Sequence, residues 1–313
     1  MKYSIGDIEF SSLTDDDYDR LAPFLLKHAG PIAGYTPNSL FAWNQVYDYG
    51  WAFLSEKTLL IACRKCLDKG CSLLSPKGEF PGEDQQLLLE NIKRAGSTVD
   101  ILAVDEHFVN SKTEFLKSFS VTEDFNQENY VYLASDLAEL PGGKYRKKRN
   151  HIQQASELYQ YTVEEITPDN IAECIDYLGV IDDELEGTCS GDVTTISEGL
   201  RNERLALLYS LNNFRRPGNK GVIIRIDGMI NAFSVYETVE IHGELTAQVH
   251  FEKALRSRKG LYQIINMETA KLIHTAGISK INREEDLGDE GLRKAKRSYY
   301  PVEMVRAWNL ESL

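Results

Sequence analysis

Hydrophobic and polar positions between residues 14 and 104 change repeatedly from helical to strand spacing. Thr14 stands at capping-box spacing from Asp17. The apolar stripe that follows predicts a helix, and it is made of Tyr18, Leu21, Phe24 and Leu25. Strand or helix spacing continues in order, as two strands within 51–64, a strand at 71–75, a helix at 84–94 and a strand at 99–104. The N-terminal part therefore belongs to the mixed α/β class.

A three-stranded antiparallel meander is predicted between residues 221 and 251. The pairs Asp227-Gly228 and His242-Gly243 separate three strand-like segments, and Asp-Gly is a preferred two-residue hairpin turn. Beyond the meander the pattern gives a basic loop, a helix at 261–275, a strand at 278–282, a basic helix from 290 and a last strand at 302–308. Two strands joined through a helix predict a right-handed crossover.

The basic loop Arg256–Gly260 stands where the crossover helix begins. The first turn of a helix offers free N–H groups and the positive end of its dipole, both of which favour an anion. Arg256, Arg258 and Lys259 add positive charge to Gly260 and its neighbours. We predict an anion-binding loop here; the alternative is a basic turn that only contacts solvent.

Charge and composition restrict the partners. The 313 residues carry a net charge of −13, which repels nucleic acid and anionic membranes except at a local basic cluster. The segment Lys144–Arg149 is such a cluster, and we expect a domain boundary close to it, between 1–135 and 136–313. An apolar stretch long enough to cross a bilayer and a signal-peptide pattern are both missing, which predicts a cytoplasmic protein without a membrane partner.

Five cysteines occur, three of them close together at Cys63, Cys66 and Cys71. An odd number without a secretion signal argues against a disulfide framework, and a fourth ligand at zinc spacing is missing. We therefore predict buried thiols and no metal site.

Two long motifs and several shorter ones carry a resemblance over nearly the whole chain. They are Tyr130–Leu133, Asp136-Leu137, Lys144–Asn150, Asn282–Gly288 and Gly291–Lys296. With them the chain resembles a bacterial family related to the C-terminal domain of phosphatidylglycerol lysyltransferases. The resemblance implies tandem GNAT-like acyltransferase domains, akin to the Fem peptidyltransferases that use aminoacyl-tRNA, with a cleft in or near the second domain.

The same resemblance implies site residues. The residues expected to bind substrate at the cleft are Arg149, Asn150, Asn282, Asp286, Arg293 and Lys296. Glu252 and His250 are the catalytic candidates, because a carboxylate or an imidazole beside the cleft can accept a proton, and two residues of spacing on a strand give one face. Structural alternatives stand beside each role, including an ion pair for Glu252 and a pair between Asp286 and Arg293.

The resulting hypothesis is an enzyme that transfers an acyl or aminoacyl group to a small amine or hydroxyl acceptor. Acyl-CoA and aminoacyl-tRNA are the candidate donors; GNAT loops that hold acyl-CoA read Gln/Arg-x-x-Gly-x-Gly/Ala, whereas Ser257 and Tyr262 stand at two of those positions here. Two alternatives remain open: a non-catalytic GNAT-like protein that binds a small anionic metabolite or nucleotide, and an RNA-associated factor using Lys144–Arg149. An enzyme requires an open cleft between strands 247–251 and 278–282.

Overall fold

A computed structural model describes residues 3–64, 71–187 and 198–313. The Gly, Ser and Thr content of residues 187–200 predicts a mobile loop, most of which lies outside the described residues. The strands are β1 (Tyr3–Ile5), β2 (Ile8–Ser12), β3 (Tyr49–Ser55), β4 (Thr58–Cys63), β5 (Cys71–Leu74), β6 (Lys77–Gly78), β7 (Val99–Asp105), β8 (Phe119–Glu123), β9 (Asn129–Leu133), β10 (Tyr161–Glu165), β11 (Asn219–Ile226), β12 (Met229–Ile241), β13 (Glu244–Ala254), β14 (Lys280–Asn282), β15 (Glu303–Val305) and β16 (Ala307–Ser312). The helices are α1 (Tyr18–Lys27), α2 (Pro37–Tyr47), α3 (Gly82–Ala95), α4 (Glu106–Ser111), α5 (Thr113–Leu116), α6 (Ala134–Glu139), α7 (Arg146–Leu158), α8 (Ile171–Gly187), α9 (Glu198–Asn212), α10 (Leu261–Thr275) and α11 (Glu290–Arg297). Among these described helices, none is long and apolar enough to span a bilayer.

The chain divides into two compact units. Unit 1 comprises the described residues up to Asn129 together with Glu285–Arg293 and Met304–Leu313. Unit 2 comprises Tyr130–Glu284 and Lys294–Glu303. Each unit contains one mixed sheet with helices, so the predicted mixed α/β class is confirmed.

Unit 1 is built on a sheet in the order β1-β2-β3-β4-β5-β7-β16-β8, with β6 paired to β4. Its first helix begins as predicted: the backbone N–H and the hydroxyl of Thr14 both donate to the Asp17 carboxylate, each at 2.9 Å. Tyr18, Leu21 and Leu25 are buried on one face of α1. The apolar stripe therefore packs inward, where burial of each large side chain contributes about 1.5–3 kcal/mol.

Strands β5 and β7 of unit 1 pair in parallel and are joined through helix α3. The helix ends at Gly96, whose φ of +65° is the left-handed conformation that glycine adopts without a steric penalty. Leu73 and Ile101 of the paired strands are fully buried in a core that also holds Leu88 of α3.

One cysteine prediction is wrong. Cys63 is 3% exposed and is disulfide-bonded, not a free thiol. Cys174, in contrast, is a buried free cysteine, as expected, and burial raises the pKa of its thiol to about 12. Spacing alone does not show whether a buried cysteine is a free thiol or part of a disulfide.

Unit 2 is built on a sheet in the order β10-β11-β12-β13-β14-β9-β15. The predicted meander is confirmed as β11, β12 and β13, which pair antiparallel in chain order. Both turns have positive φ at their two central residues, at Asp227 and Gly228 and at His242 and Gly243. This is the type I′ geometry, whose twist matches that of the flanking strands.

Strands β13 and β14 of unit 2 pair in parallel and are joined through α10, which confirms the predicted crossover order. Gly260 precedes α10 with a φ of +86°. A Cβ atom at this residue would lie 2.6 Å from the Cβ of Ala155 and 2.8 Å from the carbonyl oxygen of His151, both in α7. Glycine is therefore required because α7 packs directly on the loop.

The predicted last strand, at 302–308, is present as two strands. Strand β15 ends the unit 2 sheet beside β9, whereas β16 lies in the unit 1 sheet between β7 and β8. Trp308 and Leu310 are buried there in the unit 1 core. The boundary between 1–135 and 136–313 remains a prediction, and the last strand lies outside the unit to which its position in sequence assigns it.

Candidate functional site

The parallel pair of unit 2 separates at one end. Thr246, Ala247 and Gln248 of β13 face Lys280–Asn282 of β14 in register. Strand β14 then ends, whereas β13 continues to Ala254. Ligands of open α/β sheets commonly bind outside the carboxyl ends of strands at such a point.

Arg283 bridges this gap. Its guanidinium lies 3.0 Å from Oε1 of Glu252, and the side chains of Arg283 and Glu252 are 14% and 11% exposed. In its hydrogen-bonded orientation, the side-chain oxygen of Asn266 accepts from Arg283 at 3.0 and 3.3 Å. The ring centroid of Tyr299 lies 5.5 Å from the same guanidinium. An ion pair therefore crosses the end of the cleft predicted between these strands.

The second oxygen of Glu252 is the unusual atom of this group. Oε2 is buried and has no hydrogen-bond partner in the part of the chain that the structure describes. Leaving a buried acceptor without a donor costs about 1–3 kcal/mol, and more for a charged group. An atom kept in this state is available to a ligand that brings its own N–H or O–H.

Lys148 completes the group. Its Nζ atom lies 3.9 Å from the centroid of the Tyr299 ring. Burial and then the charge of Arg283 lower the pKa of Lys148 to about 8. Among the described residues it has no carboxylate within ion-pair distance. We call Arg283, Glu252, Asn266, Tyr299 and Lys148 the Arg283 cluster.

The sequence favoured Arg149 and Asn150 as the inward-facing residues of the basic segment. Arg149 instead donates to the carbonyl oxygens of Leu140 and Gly142, at 2.7 Å for the latter, and Asn150 is exposed. Lys148 lies inward because it shares a helical face with the buried residues at i+4 and i+7, Ile152 and Ala155. This apolar spacing was the available signal for Lys148.

Both ring nitrogens of His250 are occupied by carboxylates, so neither is available to act as a catalytic base. Its Nε2 atom lies 2.8 Å from Glu237 and its Nδ1 atom 2.6 Å from Glu284. Burial opposes the charged imidazole, but the two carboxylates outweigh it and raise the pKa of His250 to about 10. Both ring nitrogens then carry protons at neutral pH, so His250 holds two carboxylates and cannot accept a third proton.

A β-bulge separates His250 from Glu252. Phe251 pairs with Val235 and Val249 pairs with Tyr236, which leaves His250 as the extra residue of β13. The strict alternation that would place both candidates on one face is broken, so each meets different partners. The shared face expected for these two residues is therefore absent, and Glu252 remains the catalytic candidate of the pair.

The protonated state of His250 predicts how stability depends on pH. The folded pKa of about 10 exceeds the ordinary 6.5, so the contribution is fully present below pH 6.5 and is lost as pH rises toward 10. H250Q should lower the unfolding free energy near pH 6 and flatten its fall above pH 7, in urea titrations. H274Q, at an exposed histidine, is the control. Equal pH dependence of H250Q and the wild type would contradict the assignment.

The other predicted binding residues make structural contacts. In unit 2, Asn282 accepts a hydrogen bond from the backbone of Glu284 at 2.8 Å. In unit 1, Asp286 accepts from Arg293 at 2.9 and 2.8 Å. This is the pair given as the alternative for Asp286, and it stabilises the turn after β14.

Lys296 is buried beside the Arg283 cluster. Its Nζ atom donates to the carbonyl oxygen of Arg283 at 2.6 Å, and the hydroxyl of Tyr132 donates to the carbonyl oxygen of Lys296 at 2.9 Å. The Lys296 side chain therefore holds the backbone of Arg283 in place.

The Arg256–Gly260 loop holds an oxyanion that belongs to the chain itself. The carboxylate of Glu184 accepts the backbone N–H of Arg256 at 2.8 Å and that of Ser257 at 2.9 Å, together with the Ser257 hydroxyl. Burial opposes ionisation of Glu184, but these hydrogen bonds lower its pKa. Arg258 lies 5.3 Å from the Tyr159 ring, and Arg256 and Lys259 are exposed. The backbone N–H groups of Arg256 and Ser257 in the predicted loop are therefore bound to a carboxylate of the same chain.

Comparisons with known proteins agree with this architecture. Residues 33–310 match the family model described as phosphatidylglycerol lysyltransferase, C-terminal. A conserved protein of unknown function from Bacteroides thetaiotaomicron is 34% identical, with a TM-score of 0.83 and coverage of 98% of this chain and 100% of that one. Among proteins of curated function, the sequence comparison finds no match.

More distant structures share the fold. L-PGS from Bacillus licheniformis has a TM-score of 0.66 at 14% identity, with coverage of 99% of this chain and 94% of that one. FemX has a TM-score of 0.57 at 9% identity, with coverage of 98% of both chains. The predicted tandem GNAT-like fold is confirmed, and family and fold indicate an acyl- or aminoacyltransferase of this type. The chain belongs to the family of the phosphatidylglycerol lysyltransferase C-terminal domain.

Proposed function

We propose that the protein transfers an aminoacyl group from transfer RNA to an amine or hydroxyl acceptor, and that the reaction takes place at the Arg283 cluster. The family takes its description from a lysyltransferase, an enzyme that transfers an aminoacyl group, and this supports an aminoacyl donor. The loop that would grip the phosphates of acyl-CoA departs from the usual pattern at Ser257 and Tyr262. Two of its backbone donors, the N–H groups of Arg256 and Ser257, are also bound to Glu184. Both features favour aminoacyl-tRNA over acyl-CoA as donor.

The unpaired Oε2 atom of Glu252 is the observation that carries the proposal. The acceptor N–H or O–H donates to this atom, and the acceptor attacks the ester carbonyl carbon of the donor. A new amide or ester bond forms, the bond to the ribose oxygen breaks, and Glu252 passes the proton to that leaving oxygen. Positioned proton transfer of this kind contributes about 10²–10⁴-fold to a rate.

Two cations of the cluster, Lys148 and Arg283, can stabilise the negative charge that develops on the carbonyl oxygen of the donor. Lys148 and Arg283 lie on the same tyrosine ring, at 3.9 and 5.5 Å from its centroid. Arg283 is partly neutralised by Glu252, whereas Lys148 has no acidic partner among the described residues. Fixed donors in a partly buried site stabilise an oxyanion more strongly than water does. Lys148 is therefore assigned to the carbonyl oxygen of the donor.

This role predicts a pH dependence. Lys148 acts in its charged form and has a pKa of about 8, so transfer should slow as pH rises through 8. In K148R the guanidinium stays charged, and the remaining activity should no longer fall in that range. Initial rates between pH 6 and 9.5, corrected for enzyme-free ester hydrolysis, measure this. K147R, at the exposed neighbour, should keep the wild-type profile, and an unchanged profile in K148R would remove Lys148 from the mechanism.

The donor is tested with the purified full-length chain. Bulk transfer RNA charged with radiolabelled amino acids is offered with a panel of small amines, hydroxyl compounds and short peptides, and labelled acetyl-CoA is offered in parallel. We expect labelled product from charged transfer RNA and none from acetyl-CoA. Product from acetyl-CoA alone would overturn the donor assignment. If neither donor gives labelled product, the proposed transfer is overturned.

A further inference from the structure

Unit 1 contains its own strand pair that separates at the end of a crossover. Strands β5 and β7 are parallel and joined through α3, as β13 and β14 are through α10. The N–H of Ser75 donates to the carbonyl oxygen of Leu102 at 3.1 Å. The Tyr35 hydroxyl then links the two chains, because it accepts from the Ser75 N–H at 3.2 Å and lies 2.8 Å from the carbonyl oxygens of Leu102 and Ala103. Beyond that hydroxyl, Lys77 pairs with Leu59 of β4, whereas Asp105 at the end of β7 pairs with Ala307 of β16. The strands therefore leave a gap beyond Tyr35, past their last paired residues, as β13 and β14 do at Glu252 and Arg283.

Lys77 occupies this gap with an unusual environment. The residue is 7% exposed, and its Nζ atom lies 3.6 Å from the centroid of the Tyr35 ring. Burial lowers the pKa of Lys77 to about 8, against the opposing charge of Asp105. Within the described residues, its amine makes no hydrogen bond and no ion pair. Buried lysines are almost always paired, so an unpaired one indicates a missing partner.

Asp105 offers a complementary atom. Its Oδ1 accepts the N–H of Phe108 at 2.8 Å and caps helix α4, while Oδ2 receives no donor from the described residues. A Cβ atom at Gly30 would lie 3.6 Å from this Oδ2 and 3.8 Å from Nζ of Lys77, and no other heavy atom would be within 4 Å. The missing side chain at Gly30 therefore leaves room beside both groups, which present a cation and an acceptor to the same place.

We propose that unit 1 binds an α-amino or α-hydroxy carboxylate between Lys77 and Asp105, in a site separate from the proposed transfer site. The ligand's carboxylate accepts from the Lys77 ammonium, and its amino or hydroxyl group donates to Oδ2 of Asp105. The ring of Tyr35 forms one wall and the backbone of Gly30 another. The two contacting groups are attached to one carbon of such a ligand, which matches two partners that lie 3.6 and 3.8 Å from a single Cβ position at Gly30.

The site is tested by ligand-observed NMR and calorimetry on the full chain, with L-alanine and L-lactate as probes and acetate and ethylamine as single-contact controls. We expect alanine or lactate to bind the wild type at millimolar concentration, at least tenfold more tightly than either control. D105N keeps the helix cap and distinguishes an α-amino from an α-hydroxy carboxylate. The ammonium ligand should lose more affinity in this variant than the hydroxyl ligand.

Three further variants, G30A, G34A and K77M, test the site itself. G30A fills the space with only ordinary contacts, so the protein should fold normally and bind at least tenfold more weakly. G34A is its match, because a Cβ there meets nothing within 4 Å, and it should bind like the wild type. K77M should also lose binding. Absence of binding to the wild type, equal binding of acetate, or unchanged binding by G30A and K77M would overturn the site. None of these readouts depends on aminoacyl transfer.

Discussion

Replacing Glu252 with glutamine is expected to lower the rate of aminoacyl transfer by roughly 10²–10⁴-fold, the usual contribution of a positioned proton acceptor. Glutamine keeps the shape of the side chain, and its amide oxygen can still accept from Arg283. The change therefore removes the proton-accepting oxygen Oε2 with little effect on packing. Single-turnover rates with charged transfer RNA and saturating acceptor measure the effect.

E240Q is the matched control for this prediction. Glu240 lies on β12 in the same sheet and is exposed, so its replacement should leave the rate unchanged. Thermal unfolding of both variants should stay close to that of the wild type. A rate in E252Q within a few-fold of the wild type would show that Glu252 only pairs with Arg283, and the proton would then have to be accepted elsewhere.

Replacing Arg283 with methionine is expected to destabilise unit 2 strongly. The change leaves the Glu252 carboxylate nearly buried without its cation, and removing one partner of a buried pair typically costs about 3–5 kcal/mol. It also removes the charge that lowers the pKa of Lys148, so that pKa should rise toward its ordinary value. Urea unfolding at pH 7 measures the first effect, and the pH dependence of Lys148 labelling measures the second.

The double variant R283M/E252Q separates the causes. If the penalty comes from an uncompensated carboxylate, the second change should restore a large part of the stability lost in R283M. A double variant that is additive, with both losses summed, would show that Arg283 stabilises the fold through packing and Asn266 rather than through its charge. Either variant that folds can then be assayed for transfer.

Elements that depend on local spacing could be predicted from the sequence. The capping box at Thr14 and the two turns of the meander specify backbone conformation within a few residues, and both have the predicted geometry. Helices α2 and α9 and strand β8 were not expected. The single last strand predicted after the final helix is two strands, and β16 pairs with β7 and β8 because burial of Trp308 and Leu310 in the unit 1 core decides its position.

The site could be predicted only in part for a similar reason. The family resemblance directed attention to Glu252 and Lys296, and both side chains contact Arg283 in the structure. They could not reveal that a single extra residue in β13 gives His250 different partners from Glu252. Spacing could not reveal Glu184 as the occupant of the basic loop, because that contact joins residues 72 and 73 positions apart. The inward position of Lys148 could be predicted only from the apolar face of α7, and not from the basic motif.

The most direct test of the central claim is a crystal structure with a stable donor analogue, an adenosine whose amino acid is attached through an amide in place of the ester. The account predicts that the aminoacyl carbonyl oxygen lies within hydrogen-bond distance of Lys148, with Oε2 of Glu252 facing the carbonyl carbon. An analogue seated at the Arg256–Gly260 loop in place of Glu184, with the Arg283 cluster untouched, would contradict it.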